Sequence, residues 1–213
     1  MKKAQLGIVI SLLFVLVGCK KPVAAKDATT ELVNGIIYGK DPKKLKESFV
    51  LDWEVADDDT QPKRLVRELK ERFEFGEEYD AQLALLSERL VSNLNQMTSF
   101  EVTVIEETAK IAKVELAVIG LEELDDQQLS GMIESQLEPE LADITAETSE
   151  AQIDQLVNEI SIKTLFLLAE NQETKGDVTK VTLDLIAARD ERGKWVIQNK
   201  DRFIRDLMTA FSY

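Results

Sequence analysis

The chain holds one thiol, no imidazole and forty carboxylates, and those facts bound its chemistry. Without histidine it lacks the commonest general base and the usual metal ligand. Serine–histidine and cysteine–histidine catalysis are excluded, and a zinc site is disfavoured. Paired carboxylates of the glycosidase kind stay open in principle, but spacing sets no pair among the forty apart. Asp57-Asp58-Asp59 is the obvious acidic run. A calcium loop of the EF-hand type needs alternating oxygen ligands, a central glycine and a distal glutamate, and that spacing is missing. The run reads instead as a solvated turn ahead of a helix, where its charge favours the positive helix end. The expectation is a non-enzyme: no catalytic residue, no metal ligand and no cofactor.

Cys19 is the exception, because its neighbours give the thiol a role. Lys2 and Lys3 make a basic start, and the run from Leu6 to Val17 is apolar except for Gly7 and Ser11. Twelve helical residues span about 18 Å, short of the roughly 20 residues a transmembrane helix needs. Basic start, short apolar core and small residues before a cut make a secretory signal. The closing residues, Leu16-Val17-Gly18-Cys19, resemble the lipobox of bacterial lipoproteins. That resemblance implies a diacylglycerol thioether on Cys19, palmitate-type acyl chains, and cleavage of residues 1–18 as a signal peptide. It also implies an address on the extracytoplasmic face of the cell membrane. More than one acyl chain is what stable anchoring requires. The tail of the signal, Leu12 to Gly18, is also similar to the octapeptide-like pheromones released from some enterococcal lipoprotein signals. With no second cysteine, no intramolecular disulfide forms, so the exported part relies on its core.

Removing residues 1–18 takes away only Lys2 and Lys3, leaving 24 basic against 40 acidic residues and a net charge of −16 over 195 residues. Such a charge argues against nucleic acid as a partner. Lys20, Lys21 and Lys26 are clustered beside the lipid, an arrangement that suits anionic head groups and equally a merely solvated tether. The length suits one domain with a real core.

The elements that position these groups follow from periodicity. Residues 19–27 read as a lipidated tether, the part from 20 to 27 reaching about 26 Å when extended. Residues 28–213 read as a single α+β domain. Leu32, Val33, Ile36 and Ile37 recur at helical spacing, and Asp41-Pro42 is a cap and first-turn proline for a short helix. Leu65, Leu69 and Phe73 mark a helix over 61–75 that Gly76 ends. Tyr79 to Met97 carries another stripe. Alternation of Phe100, Val102, Val104 and then Val114, Leu116, Val118 makes a hairpin over 100–119. Ser149 with Gln152 is a capping box opening a long amphipathic helix to about 170, of the kind usually laid across a sheet. Val181, Leu183, Leu185 and then Trp195, Ile197 make a second hairpin over about 177–199, and a helix from Phe203 to Phe211 closes the chain. The fold class is α+β: an antiparallel sheet from two hairpins, packed with N-terminal helices, a long central helix and a C-terminal helix.

Together with the lipobox, the closing run Gly193-Lys194-Trp195-Val196-Ile197 resembles the small exported Gram-positive lipoproteins with a nuclear transport factor 2-like or cystatin-like domain. That resemblance implies a sheet curled around a helix, with a conical pocket. Enzymes of the class pair aspartate with histidine there. This chain has no histidine, so no residue inherits a catalytic role. The reading is a membrane-anchored, non-catalytic binding or interaction module at the cell envelope, with a protein or envelope partner. The alternative is a small solute-binding lipoprotein associated with a transporter, its apolar pocket floored by Trp195. Trp195 as ordinary core is the bland competitor.

Overall fold

Alternating sequence builds the sheet. A computed structural model describes residues 21–53, 61–122, 127, 130–131, 134, 149–191 and 193–212. Strands β1 (Ser99–Glu107), β2 (Ile111–Ile119), β3 (Thr179–Ala187) and β4 (Trp195–Ile197) pair antiparallel, side by side in chain order. Every second residue of β2 from Ala112 to Val118 is buried, and so are Val181, Leu183, Leu185, Trp195 and Ile197. The alternation therefore marks one covered face and one open face. Gly193, at φ 90°, takes the left-handed conformation that the turn before β4 needs.

Two helices cover the inner face. These are α1 (Ala25–Ile36), through Ala28, Leu32 and Val33, and α6 (Lys200–Phe211), through Phe203, Leu207, Ala210 and Phe211. Full burial of each large apolar side chain stabilises by about 1.5–3 kcal/mol. Tyr38, just past α1, packs edge-on to Phe211 and stacked on Phe100, and its hydroxyl shares a 2.9 Å hydrogen bond with Thr98 Oγ1. The short α2 (Pro42–Ser48) follows α1. Asp41 sits before it in a left-handed conformation and makes no capping bond. Its carboxylate pairs with Lys44 Nζ at 3.4 Å instead.

A second core lies apart from the sheet. It joins α3 (Gln61–Phe73), a 3-10 turn (Glu77–Tyr79), α4 (Asp80–Met97) and α5 (Glu150–Glu170) through Leu69, Phe75, Tyr79, Leu83, Leu86, Ile162 and Ala169. The capping box at Ser149 and Gln152 is formed as the spacing predicts, with Gln152 N donating to Ser149 Oγ and Ser149 N to Gln152 Oε1.

Three expectations shift. The long helix α5 does not lie across the sheet: its inner residues meet α4, and α1 and α6 take the sheet. Helix α3 ends at Phe73, with Glu74 at φ 57° as the left-handed residue after it, ahead of Gly76. The predicted tether is also shorter, because α1 begins at Ala25, which is fully buried together with Ala28.

Candidate functional site

The start of the folded chain is fixed from two sides. Trp195, only 1% exposed, donates its indole N–H to the carbonyl of Val23 at 2.8 Å. Two residues on, Ala25 N donates to Glu107 Oε1 at 3.2 Å. The second contact depends on an irregularity in β1. Val104 faces Val114, but Glu106 faces Lys113, leaving Ile105 as an extra residue. A bulge of this kind reverses which face the following residues occupy. Glu107 therefore lands opposite buried Ala112, on the helix-covered face, where it caps the first turn of α1. Ala24, the residue at the N-cap, makes no side-chain cap of its own. A carboxylate at that position satisfies an orphan N–H and complements the positive helix end.

A groove opens on the other core, between the 3-10 turn, the start of α4 and α5. It encloses about 870 Å³. Tyr79, Ile162 and Phe166 give it apolar lining, and the carboxylates of Glu78, Asp154 and Glu159 outnumber the one cation among its lining residues, Lys163. Tyr79 is 6% exposed and its hydroxyl donates to the Gln155 carbonyl at 3.5 Å. Burial pushes the Tyr79 hydroxyl up from its ordinary range, and the carboxylates of Glu159 and Glu78 push it the same way. The phenol is thus a neutral donor at physiological pH, set in an acidic rim. Among the described residues no three acidic or cysteine side chains converge as a metal site would require.

The residues singled out from sequence fall as follows. Cys19, Lys20 and the Asp57-Asp58-Asp59 run lie outside the described residues. Lys21 and Lys26 are exposed on either side of the pinned Val23. Trp195 is not among the residues lining the groove around Tyr79. It belongs to the sheet core, with its one polar atom satisfied. Sequence reasoning missed Glu107, Val23 and the groove around Tyr79. The signal for Glu107 was present: adjacent apolar Val104 and Ile105 break the alternation of β1, and a broken alternation marks a bulge. Nothing local marks Val23, whose partner lies 172 residues away.

No family model and no curated protein matches the chain. A solved structure does. The chain is similar in fold to a candidate lipoprotein, YcdA, from Bacillus subtilis subsp. subtilis strain 168. The TM-score is 0.55 at 14% identity, over 88% of this chain and 55% of that one. The chain thus spans about half the length of that neighbour, and the likeness is one of fold.

Proposed function

We propose that the chain is a lipid-anchored, non-catalytic binding module on the extracytoplasmic face of the cell membrane, fastened through Cys19. The observation that carries this reading is the placement of the first folded residue. Val23 is hydrogen-bonded into the sheet core, so Lys20-Lys21-Pro22 alone separate the lipobox cysteine from the domain. A signal that ends where a fold begins suits a mature N-terminus at Cys19. The similarity in fold to YcdA, itself described as a candidate lipoprotein, points the same way. No helix among the described residues is long and apolar enough to cross a membrane. Anchoring confines the module to a thin layer and raises its effective concentration toward membrane-proximal partners.

The reading is tested by growing cells on labelled palmitate and comparing the native chain with Cys19→Ala. Label and detergent-phase partitioning of the native chain, both lost in the variant, support it. An unlabelled native chain in the aqueous phase overturns it.

The groove supports a second reading, a solute-binding lipoprotein associated with a transporter. Its volume lies within the range of ligand pockets, and its acidic rim over a neutral tyrosine suits a cationic or hydroxylated solute. A thermal-shift screen of cationic peptides and polyols, with Tyr79→Phe as the control, checks it. A shift that persists unchanged in Tyr79→Phe counts against this groove.

A further inference from the structure

The end of the sheet that holds Val23 also carries an open apolar corner. Glu107 and Trp195, the two residues that pin the N-terminal segment, lie at the end of β1 and the start of β4. On the opposite, uncovered face at that end, Ile111 pairs with Ile186 and Ile186 with Val196, one apolar rung across three strands. Ile105, turned out by the bulge, is 58% exposed and Ile111 is 45% exposed, while Ile186 and Val196 are half-buried. Elsewhere the same face carries Glu115 and Lys180, paired at 2.8 Å, as a solvated face should. Two exposed isoleucines beside a half-buried apolar pair set this end apart from the charged remainder of the face.

The length of chain outside the fold says what covers it. From Cys19 to Val23 there are four residue steps, at most about 14 Å when extended. The head-group layer of one leaflet is itself roughly 5–8 Å thick. An acylated Cys19 therefore holds this end of the sheet, together with the start of α1, at the membrane surface. Glu106, Lys110 and Lys113 around the rung are of mixed sign, so the attraction is apolar rather than a matter of lipid charge. Because the tether has already met the entropic cost of association, a small patch suffices.

We infer that the anchored domain docks on the bilayer through this corner, with Ile105, Ile111, Ile186 and Val196 entering the head-group layer beside the lipid. This rests on the anchoring at Cys19 proposed above. It adds a fixed orientation, in which the end of the sheet rather than the helical core carries the contact.

Acylation consumes the native thiol, so a cysteine introduced elsewhere is a unique labelling site. The full lipidated chain, carrying a bimane on Ile105→Cys, Ile111→Cys or the control Leu85→Cys, is reconstituted into vesicles of phosphatidylglycerol and phosphatidylethanolamine with quencher-bearing acyl chains. Leu85, 62% exposed on α4, reports on the remote core. The expected result is several-fold stronger quenching and a blue shift at Ile105 and Ile111, with Leu85 unaffected. If the chain floats with the vesicles but all three probes stay in water, docking is overturned and anchoring stands. If the chain does not float and Cys19→Ala behaves identically, the anchoring fails and docking with it. Shielding at Ile105 and Ile111 without lipid quenching, together with cross-links between copies, assigns the corner to self-association and overturns docking on lipid.

Discussion

Replacing Trp195 with phenylalanine severs the link between the exported N-terminus and the sheet. The indole is 1% exposed and its N–H donates to Val23 at 2.8 Å. Phenylalanine keeps a ring in the core but removes two buried carbons and the donor nitrogen. At about 0.8 kcal/mol per buried carbon, packing loses about 1.6 kcal/mol. The hydrogen bond adds about 0.5–1.5 kcal/mol, with the lower end favoured because Val23 is 40% exposed. The expected loss is about 2–3 kcal/mol. With a urea dependence of about 2 kcal/mol per molar, the unfolding midpoint followed by circular dichroism falls by about 1 M. Trp53→Phe is the control, since that ring is partly buried and meets Lys200 Nζ at 5.6 Å; its midpoint moves by much less. Amide exchange at Ala25 gives the local reading, because freeing Val23 loosens the first turn of α1. Equal midpoints for the two variants, with Ala25 exchange unchanged, refute the assignment of Trp195 as the N-terminal clamp.

Three further outcomes follow from the same geometry. Glu107→Ala removes the acceptor for Ala25 N and costs about 1 kcal/mol by denaturation, whereas Glu107→Gln keeps an acceptor oxygen and loses less. Gly120→Ala drives a methyl into the Ala210 carbonyl oxygen and to 2.9 Å from Phe211 Cα, backbone that cannot swing aside, and lowers stability by about 1–3 kcal/mol or more. The Asp52–Lys200 contact at 2.5 Å governs a pH dependence: the hydrogen bond from Lys200 holds the Asp52 carboxyl below its usual range, and the same bond raises the Lys200 ammonium. The depressed Asp52 stabilises the fold above its unfolded value and loses this as pH falls through the folded one; the raised Lys200 stabilises below its unfolded value and loses this as pH rises through the folded one. Asp52 is exposed and Lys200 only half-buried, so the effect on stability is small. Carbon NMR titration of Asp52 should read below its ordinary value of about 3.9 and return toward it in Lys200→Met.

Much of the fold was legible because its signals are local. Period-two runs at 100–104, 114–118, 181–185 and 195–197 located the strands, and Ser149 with Gln152 located the start of α5. What α5 packs against was not legible. Leu156, Ile160, Leu167 and Leu168 are all apolar, so the sequence of α5 suits a neighbour on either side, and tertiary packing chose α4 over the sheet. Ala25 reads as tether by composition, since alanine and lysine suit a linker as well as a helix. Its burial is set by Glu107 and Trp195, which are far away in the chain. Trp195 shows the same limit at the site: spacing placed it on the inner face of β4, but only the fold shows its N–H spent on Val23. The groove at Tyr79 arises from helices α4 and α5 meeting, and no spacing within either one announces it.

Intact mass measurement of the chain extracted from native membranes tests the central claim most directly. A polypeptide beginning at Cys19 and heavier by a diacylglyceryl group is the predicted result, with that added mass absent in Cys19→Ala. A membrane-derived chain that still begins at Met1, or one beginning elsewhere with an unmodified thiol, contradicts the account.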